Sequence, residues 1–227
     1  MRDEPGPIRI GIIDGPVSHS GMEISDQRVF CDADGTPSGA PGLQHGNGVT
    51  RAISRACPGA DLYCAQVFSD KLVCTPHQVA EALNWLVAQG VHFVNMSFGL
   101  RRDRPVLRDA CEQALASGVC LVAAAPAQGA GVFPSLYPGV VRATGDARCA
   151  PGQVSWLDSE QADFGGHPGA PGDPFAGASA GCAAVTAALA ALALRQGDLR
   201  IPELLRELRA SADYRGPECR SIEDQPV

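Results

Sequence analysis

The sequence predicts a single α/β domain, built on a mostly parallel sheet with helices on both faces. Three observations carry this. Short apolar runs, rich in β-branched residues, recur along the chain; helical patterns separate them; and 227 residues suffice for one such domain with a sizeable core. The runs Ile8–Ile13, Leu62–Phe68, Val91–Met96, Val119–Ala124 and Val140–Thr144 are short and rich in β-branched or other apolar residues, so they read as strands buried on both sides.

The helices follow in order. One is expected to begin just after His45, burying Val49, Ala52, Ile53 and Ala56. Pro76–Gln89 has Thr75 as N-cap, Pro76 at the first helical position and Gly90 beyond its end; Val79, Leu83, Leu86 and Val87 form its apolar stripe. Pro105–Ser117 turns Leu107, Ala110, Cys111, Ala114 and Leu115 inward, and Gly118 stops it. The alanine-rich run Ala180–Leu194 is shorter than the ~20 residues that span a bilayer and reads as a buried helix. The expected organisation is an N-terminal extension (1–7), a domain (8–212) and a polar C-terminal tail (213–227).

A formal charge of −7 offers no basic field for nucleic acid and no polybasic patch for a membrane, which favours a protein or peptide partner. The first residues, M-R-D-E-P-G-P, lack the basic start and apolar core of a secretion signal. Nine cysteines without a C-x-x-C pair read as reduced packing residues, Cys182 among them, and the expected location is cytoplasmic. The oligomeric state is not legible.

Three segments carry chemistry: I-R-I-G-I-I-D-G from Ile8, H-G-N-G-V-T-R-A-I from His45, and G-A-S-A-G-C from Gly177. Asp14 ends a strand, where functional groups gather in parallel sheets, and Ser179 opens a helix. A serine hydroxyl is a poor nucleophile unless an imidazole takes its proton and a carboxylate orients that imidazole. Asp14, His45 and Ser179 supply all three. His19, His77, His92 and His167 lack such context and read as structural or solvated. The D-A-D-G within Cys31–Gly35 is a fragment of a calcium loop without its other ligands, so it reads as a turn. No metal and no cofactor are expected.

The blocks around these residues resemble the subtilisin family of serine endopeptidases over about Ile8–Ala210. I-G-I-I-D-G and H-G-N-G-V are similar to its aspartate and histidine signatures. V-N-M-S-F-G at Val94–Gly99, A-S-G-V-C-L-V-A-A-A at Ala116–Ala125 and G-A-S-A-G-C-A-A-V-T-A resemble three further blocks, in the family's order. The resemblance implies Ser179 as nucleophile, His45 as base and then acid, and Asp14 as its orienting group. It further implies that an extended peptide pairs with two edges, Ser97–Leu100 and about Asp70–Val73, the latter including Leu72. The primary pocket would be walled by Phe98 and Gly99 and floored by Ala124, Ala125 and Pro126.

The sequence also departs from the family. Pro126–Ala127 stands where a Gly-Asn pair is expected, so the side-chain donor of the oxyanion hole is missing; the Ser179 N–H and Gln128 are the remaining candidates. Pro126 in place of glycine predicts a constricted pocket. Ala178 and Ala183 replace a threonine and a proline near the nucleophile. With Asp14 so near the start, no inhibitory propeptide is expected. Compactness, cysteine content and the altered loop are similar to a small intracellular branch of the family serving quinohemoprotein amine dehydrogenase biogenesis. That implies removal of a leader peptide from a precursor. The alternatives are a catalytically weak, peptide-binding chaperone or scaffold, and a general intracellular endopeptidase.

Overall fold

The computed structural model describes residues 6–18, 21–31, 40–197 and 199–218. Its elements, in chain order, are β1 (Ile8–Asp14), β2 (Asp26–Val29), α1 (Pro41–Ala56), β3 (Ala60–Gln66), α2 (Pro76–Ala88), β4 (Phe93–Met96), α3 (Pro105–Ala116), β5 (Cys120–Ala124), β6 (Val141–Gly145), β7 (Val154–Trp156), β8 (Phe164–Gly166), α4 (Ala178–Gln196), α5 (Ile201–Ala210) and β9 (Tyr214–Arg215). They form one nine-stranded sheet in the order β2-β3-β1-β4-β5-β6-β8-β7-β9. Every pairing is parallel except β7 with β8.

Strand alternation divides the core into two layers. On one face Ile10, Ile12, Phe93, Cys120 and Val122 pack against Val49 and Ile53 of α1 and Cys182, Val185 and Leu189 of α4. On the other, Ile13, Val94, Met96, Leu121 and Ala123 pack against Leu83 and Leu86 of α2 and Leu107, Cys111 and Ala114 of α3. The chain leaves β1 for a neighbour on one side and later returns to its other side, so a crevice opens beyond the carboxyl end of β1. In open parallel sheets that is where ligands bind. Asp14 sits there.

Several details differ from the sequence expectation. α1 starts at Pro41 rather than after His45, because Pro41 presets the first helical φ and its missing N–H is no loss at that position. β3 ends at Gln66 because the N–H groups of Val67 and Phe68 turn aside to the Asp14 carbonyl, at 2.8 and 3.3 Å. The sheet also runs past residue 212. Asp213 exchanges bonds with the Val154 backbone, β9 pairs with β7, and Arg209 lies over the Trp156 ring at 3.7 Å. The first residues of the expected tail are therefore sheet edge. The D-A-D-G turn and His19 lie outside the described residues. α4 is long and apolar enough to cross a membrane, yet it is the central helix of the first core layer.

Candidate active site

Each of the three chemical residues is delivered by a different element. Asp14 closes β1 and is 1% exposed; His45 lies in the second turn of α1 and is 5% exposed; Ser179, partly exposed, lies in the first turn of α4. Glycines permit the approach. A Cβ on Gly46 would stand 2.6 Å from the Pro16 carbonyl oxygen and 2.7 Å from that of Gly15, so only glycine lets α1 lie this close to the end of β1. Gly177 caps α4 with φ 86°, a conformation that an L side chain resists, and this turn sets Ser179 at the helix mouth.

The three groups form a hydrogen-bonded line. Asp14 Oδ1 accepts from the Gly15 N–H at 2.6 Å and from His45 Nδ1 at 2.7 Å. On the opposite side of the ring His45 Nε2 is 3.1 Å from Ser179 Oγ. With Nδ1–H committed to the carboxylate, Nε2 is left as the acceptor for the serine proton. Burial pushes the imidazole pKa down, but the hydrogen bond and the charge of Asp14 outweigh it, and the net pKa lies above the ordinary 6.5. Among the described residues Asp14 Oδ2 is buried without a hydrogen-bond partner.

A second polar network stands behind the serine. Asn95 Nδ2 donates to Ser97 Oγ at 2.9 Å, and Ser97 Oγ donates to the Ser179 carbonyl at 3.3 Å. The Thr186 hydroxyl shares its proton between Asn95 Oδ1 (3.1 Å) and the Cys182 carbonyl (2.8 Å). Asn95 and Thr186 are fully buried, so this network fixes the start of α4 to the end of β4. Sequence reasoning missed both residues. The available signal was a lone threonine in an otherwise apolar helix, and a strand in which Asn alternates with apolar neighbours.

The expected substrate residues are partly rearranged. Leu100 pairs both its N–H and its carbonyl with Phe133, at 2.7 and 2.8 Å, so the open edge shortens to Ser97–Gly99. The Ser97 side chain is committed to the network above. Phe98 is half-buried and meets Phe68 edge to face, with ring centroids 6.1 Å apart. Ala124 and Ala125 are buried, and Ala125 packs with Leu157 and Ala162. Val132, absent from the sequence expectation, lies so close to Gly99 that a Cβ there would be 2.5 Å from its Cγ2. Pro126 is half-buried, Gln128 lies on an exposed bend and has no hydrogen bond to the three chemical residues, and Leu72 is 47% exposed.

The other described histidines make no hydrogen bond to the Asp14–His45–Ser179 line. His92 Nδ1 accepts the Arg9 N–H at 3.0 Å, and burial and then Arg9 lower its pKa. His167 Nδ1 donates to the Cys149 carbonyl at 2.9 Å, and His77 is exposed on α2. Burial pushes the Cys182 thiol up to about 12, which removes it as a nucleophile. Cys57, Cys64, Cys74, Cys111, Cys120, Cys149 and Cys182 are free thiols, and among the described residues no cluster of His, Cys, Asp and Glu could hold a metal ion.

The fold that carries this line of residues is subtilisin-like. Residues 33–141 match the subtilase family model (peptidase S8). Alkaline elastase YaB from Bacillus sp. (strain YaB) is 30% identical over 142 residues, covering 57% of this chain and 37% of the elastase. Subtilisin Savinase from Lederbergia lenta is 28% identical over 142 residues, covering 57% and 52%. The matched region thus spans about a third to a half of these relatives. Among solved structures, a mutant of the protease domain of PatA superposes with a TM-score of 0.60 at 19% identity, covering 87% of this chain and 85% of that domain. The PatG macrocyclase, solved in complex with peptide, gives 0.59 at 15% identity, covering 85% and 78%.

Proposed function

We propose that this chain is a serine endopeptidase that cleaves one or a few dedicated protein substrates, removing a leader peptide from a precursor. The observation that carries the reading is the unbroken line Asp14–His45–Ser179, with contacts of 2.7 and 3.1 Å. Ser179 Oγ attacks the scissile carbonyl while His45 Nε2 takes its proton. Asp14 holds the imidazole and stabilises the imidazolium that forms, and His45 then passes the proton to the departing amine. Water attacks the acyl-enzyme by the same route in reverse. The Ser179 N–H, in the first turn of α4 where amides lack an intrahelical acceptor, faces the developing oxyanion. Gln128 is the candidate second donor once substrate is seated.

Dedication to a leader is supported by the short Ser97–Gly99 edge and by Val132 pressed against Gly99, which leave little room for indiscriminate side chains. The PatG structure, a macrocyclase holding a peptide, shares the fold. The finer reading is a role like that of the leader-removing protease of quinohemoprotein amine dehydrogenase biogenesis. Free, mostly buried cysteines support a reducing, cytoplasmic setting. A second reading, a peptide-binding scaffold with little turnover, is favoured by one observation only, alanine at 127. Labelling by a fluorophosphonate probe tests the proposal: wild-type protein should label and Ser179→Ala should not. Absence of labelling on folded wild-type protein overturns it in favour of the scaffold.

A further inference from the structure

A second cleft, of about 310 Å³, begins where the substrate edge ends. Leu100, Arg101, Arg102 and Arg104 line one side, and Cys74 and Pro76 the other. All three arginines are exposed, and among the described residues none of their guanidinium groups has a carboxylate partner. The intervening Asp103 does not neutralise them: its carboxylate is held by Arg108 and by the Tyr137 hydroxyl at 2.9 Å. Two helix starts reinforce the positive potential. Pro76 is the first residue of α2 and Arg104 the N-cap of α3, and neither helix has an acidic residue in its first turn. These three exposed cations lie side by side on a chain of net charge −7. An anion docked among them relieves their mutual repulsion.

The cleft is also placed by backbone geometry. A peptide paired along Ser97–Gly99 cannot continue past Leu100, because Phe133 has taken both of that residue's main-chain groups. It must leave the sheet there, with the arginines ahead of it and the exposed Leu72 and Val73 on the opposite loop. At about 3.3 Å per extended residue, Leu100 is roughly 10 Å along the strand from Ser97, whose carbonyl touches Ser179 Oγ. The cleft therefore meets side chains about three to five residues from the bond being cut.

We propose that this arginine cleft is a specificity site for acidic side chains of the leader, about three to five residues before the scissile bond. The inference rests on the peptidase reading of the Asp14–His45–Ser179 site, and it names the chemistry that selects the substrate. An acidic leader is attracted from a distance, docks its carboxylates on the guanidinium groups, and so holds the scissile carbonyl in place for a site poor in oxyanion donors.

The test separates binding from turnover by using the folded Ser179→Ala protein. Fluorescein-labelled dodecapeptides with an apolar centre carry a Glu-Glu, Gln-Gln or Lys-Lys pair on either the N-terminal or the C-terminal side. In the N-terminal series the Glu peptide should bind about tenfold tighter than the Gln peptide in low salt, and 0.5 M NaCl should erase most of that gain. Arg101→Glu with Arg102→Glu should abolish it and turn the preference toward Lys, with unchanged circular dichroism. Charge-blind binding, no binding of any peptide, a gain confined to the C-terminal series, or tighter binding of a twelve-residue oligothymidylate would each overturn the inference. Fluorophosphonate labelling of the wild type is scored separately. Labelled protein that binds charge-blind loses the acidic-leader inference alone; unlabelled protein that prefers Glu keeps the cleft's acid recognition and loses the peptidase reading.

Discussion

Ser97 and Ser179 are bonded to each other twice. The hydroxyl of each donates to the main-chain carbonyl of the other, both at 3.3 Å. One bond holds the start of α4 against β4; the other gives the Ser179 proton a resting acceptor besides His45. The proposed reaction then requires Oγ–H to swing from the Ser97 carbonyl to Nε2, a small rotation about one side-chain bond.

Removing the support behind that serine should slow chemistry without abolishing binding. Ser97→Ala leaves the buried Asn95 amide short of an acceptor, a loss of about 1–3 kcal/mol. We expect kcat to fall about tenfold with KM little changed, and Ser97→Thr, which keeps the hydroxyl, to recover part of it. Steady-state kinetics on a cleaved peptide decide this; a change in KM alone would make Ser97 a substrate contact instead.

Ser179 and His45 act as a unit, so their losses should not add. Ser179→Ala and His45→Ala should each remove essentially all turnover, and the double variant should be no slower than either single one. Single-turnover assays with excess enzyme check this. Additive losses would mean that the two residues serve separate steps.

The pH dependence follows from His45. Since the imidazole must be neutral to accept a proton and its pKa is raised, kcat/KM should climb with pH through a midpoint above 6.5. The same shift has the opposite sign for stability. A raised folded-state pKa stabilises the fold fully below the unfolded value, and that contribution is lost as pH rises through the folded value. His45→Gln should flatten that segment of a denaturation-versus-pH curve; an unchanged curve would count against the Asp14 pairing.

Supplying a side-chain donor at position 127 should accelerate the proposed cleavage. An oxyanion-hole side chain is worth about 10²–10³ in kcat, so Ala127→Asn should raise kcat toward that range on short peptides. The exposure of the 127–130 bend lets the change be made without disturbing the core. Gln128→Ala in the native background should lower kcat if Gln128 donates, and leave it unaltered otherwise.

The parts of the fold that sequence revealed were those with long-range physical consequences. β1, β4 and β5 are rich in apolar residues because both their faces are covered, and α2 announces itself through Pro76 at its start and Thr75, which forms a capping box with Gln78. β2, with the sequence D-Q-R-V and three exposed residues, has no pattern to read; it is a strand only because β3 lies beside it. α5 and β7–β9 escaped for related reasons. α5 buries only Leu204 and Leu208, and the terminal strands are two or three residues long. At the site, Asp14, His45 and Ser179 stood out as reactive types at element ends. Thr186, Asn95 and Val132 did not, since their parts depend on which elements lie side by side.

α4 is buried over most of its surface, with Ala184, Ala188 and Ala191 forming a partly exposed stripe, and its small residues let the sheet lie directly against it; a Cβ on Gly181 would stand only 2.0 Å from the Thr144 carbonyl oxygen. A helix wedged in this way has no independent motion to give. The Ser179 hydroxyl at its mouth is thus mounted on a tightly packed helix, and amides along the buried part of α4 should exchange with solvent only through global opening. Heat should therefore not produce a folded but inert protein: inactivation and unfolding ought to share one transition.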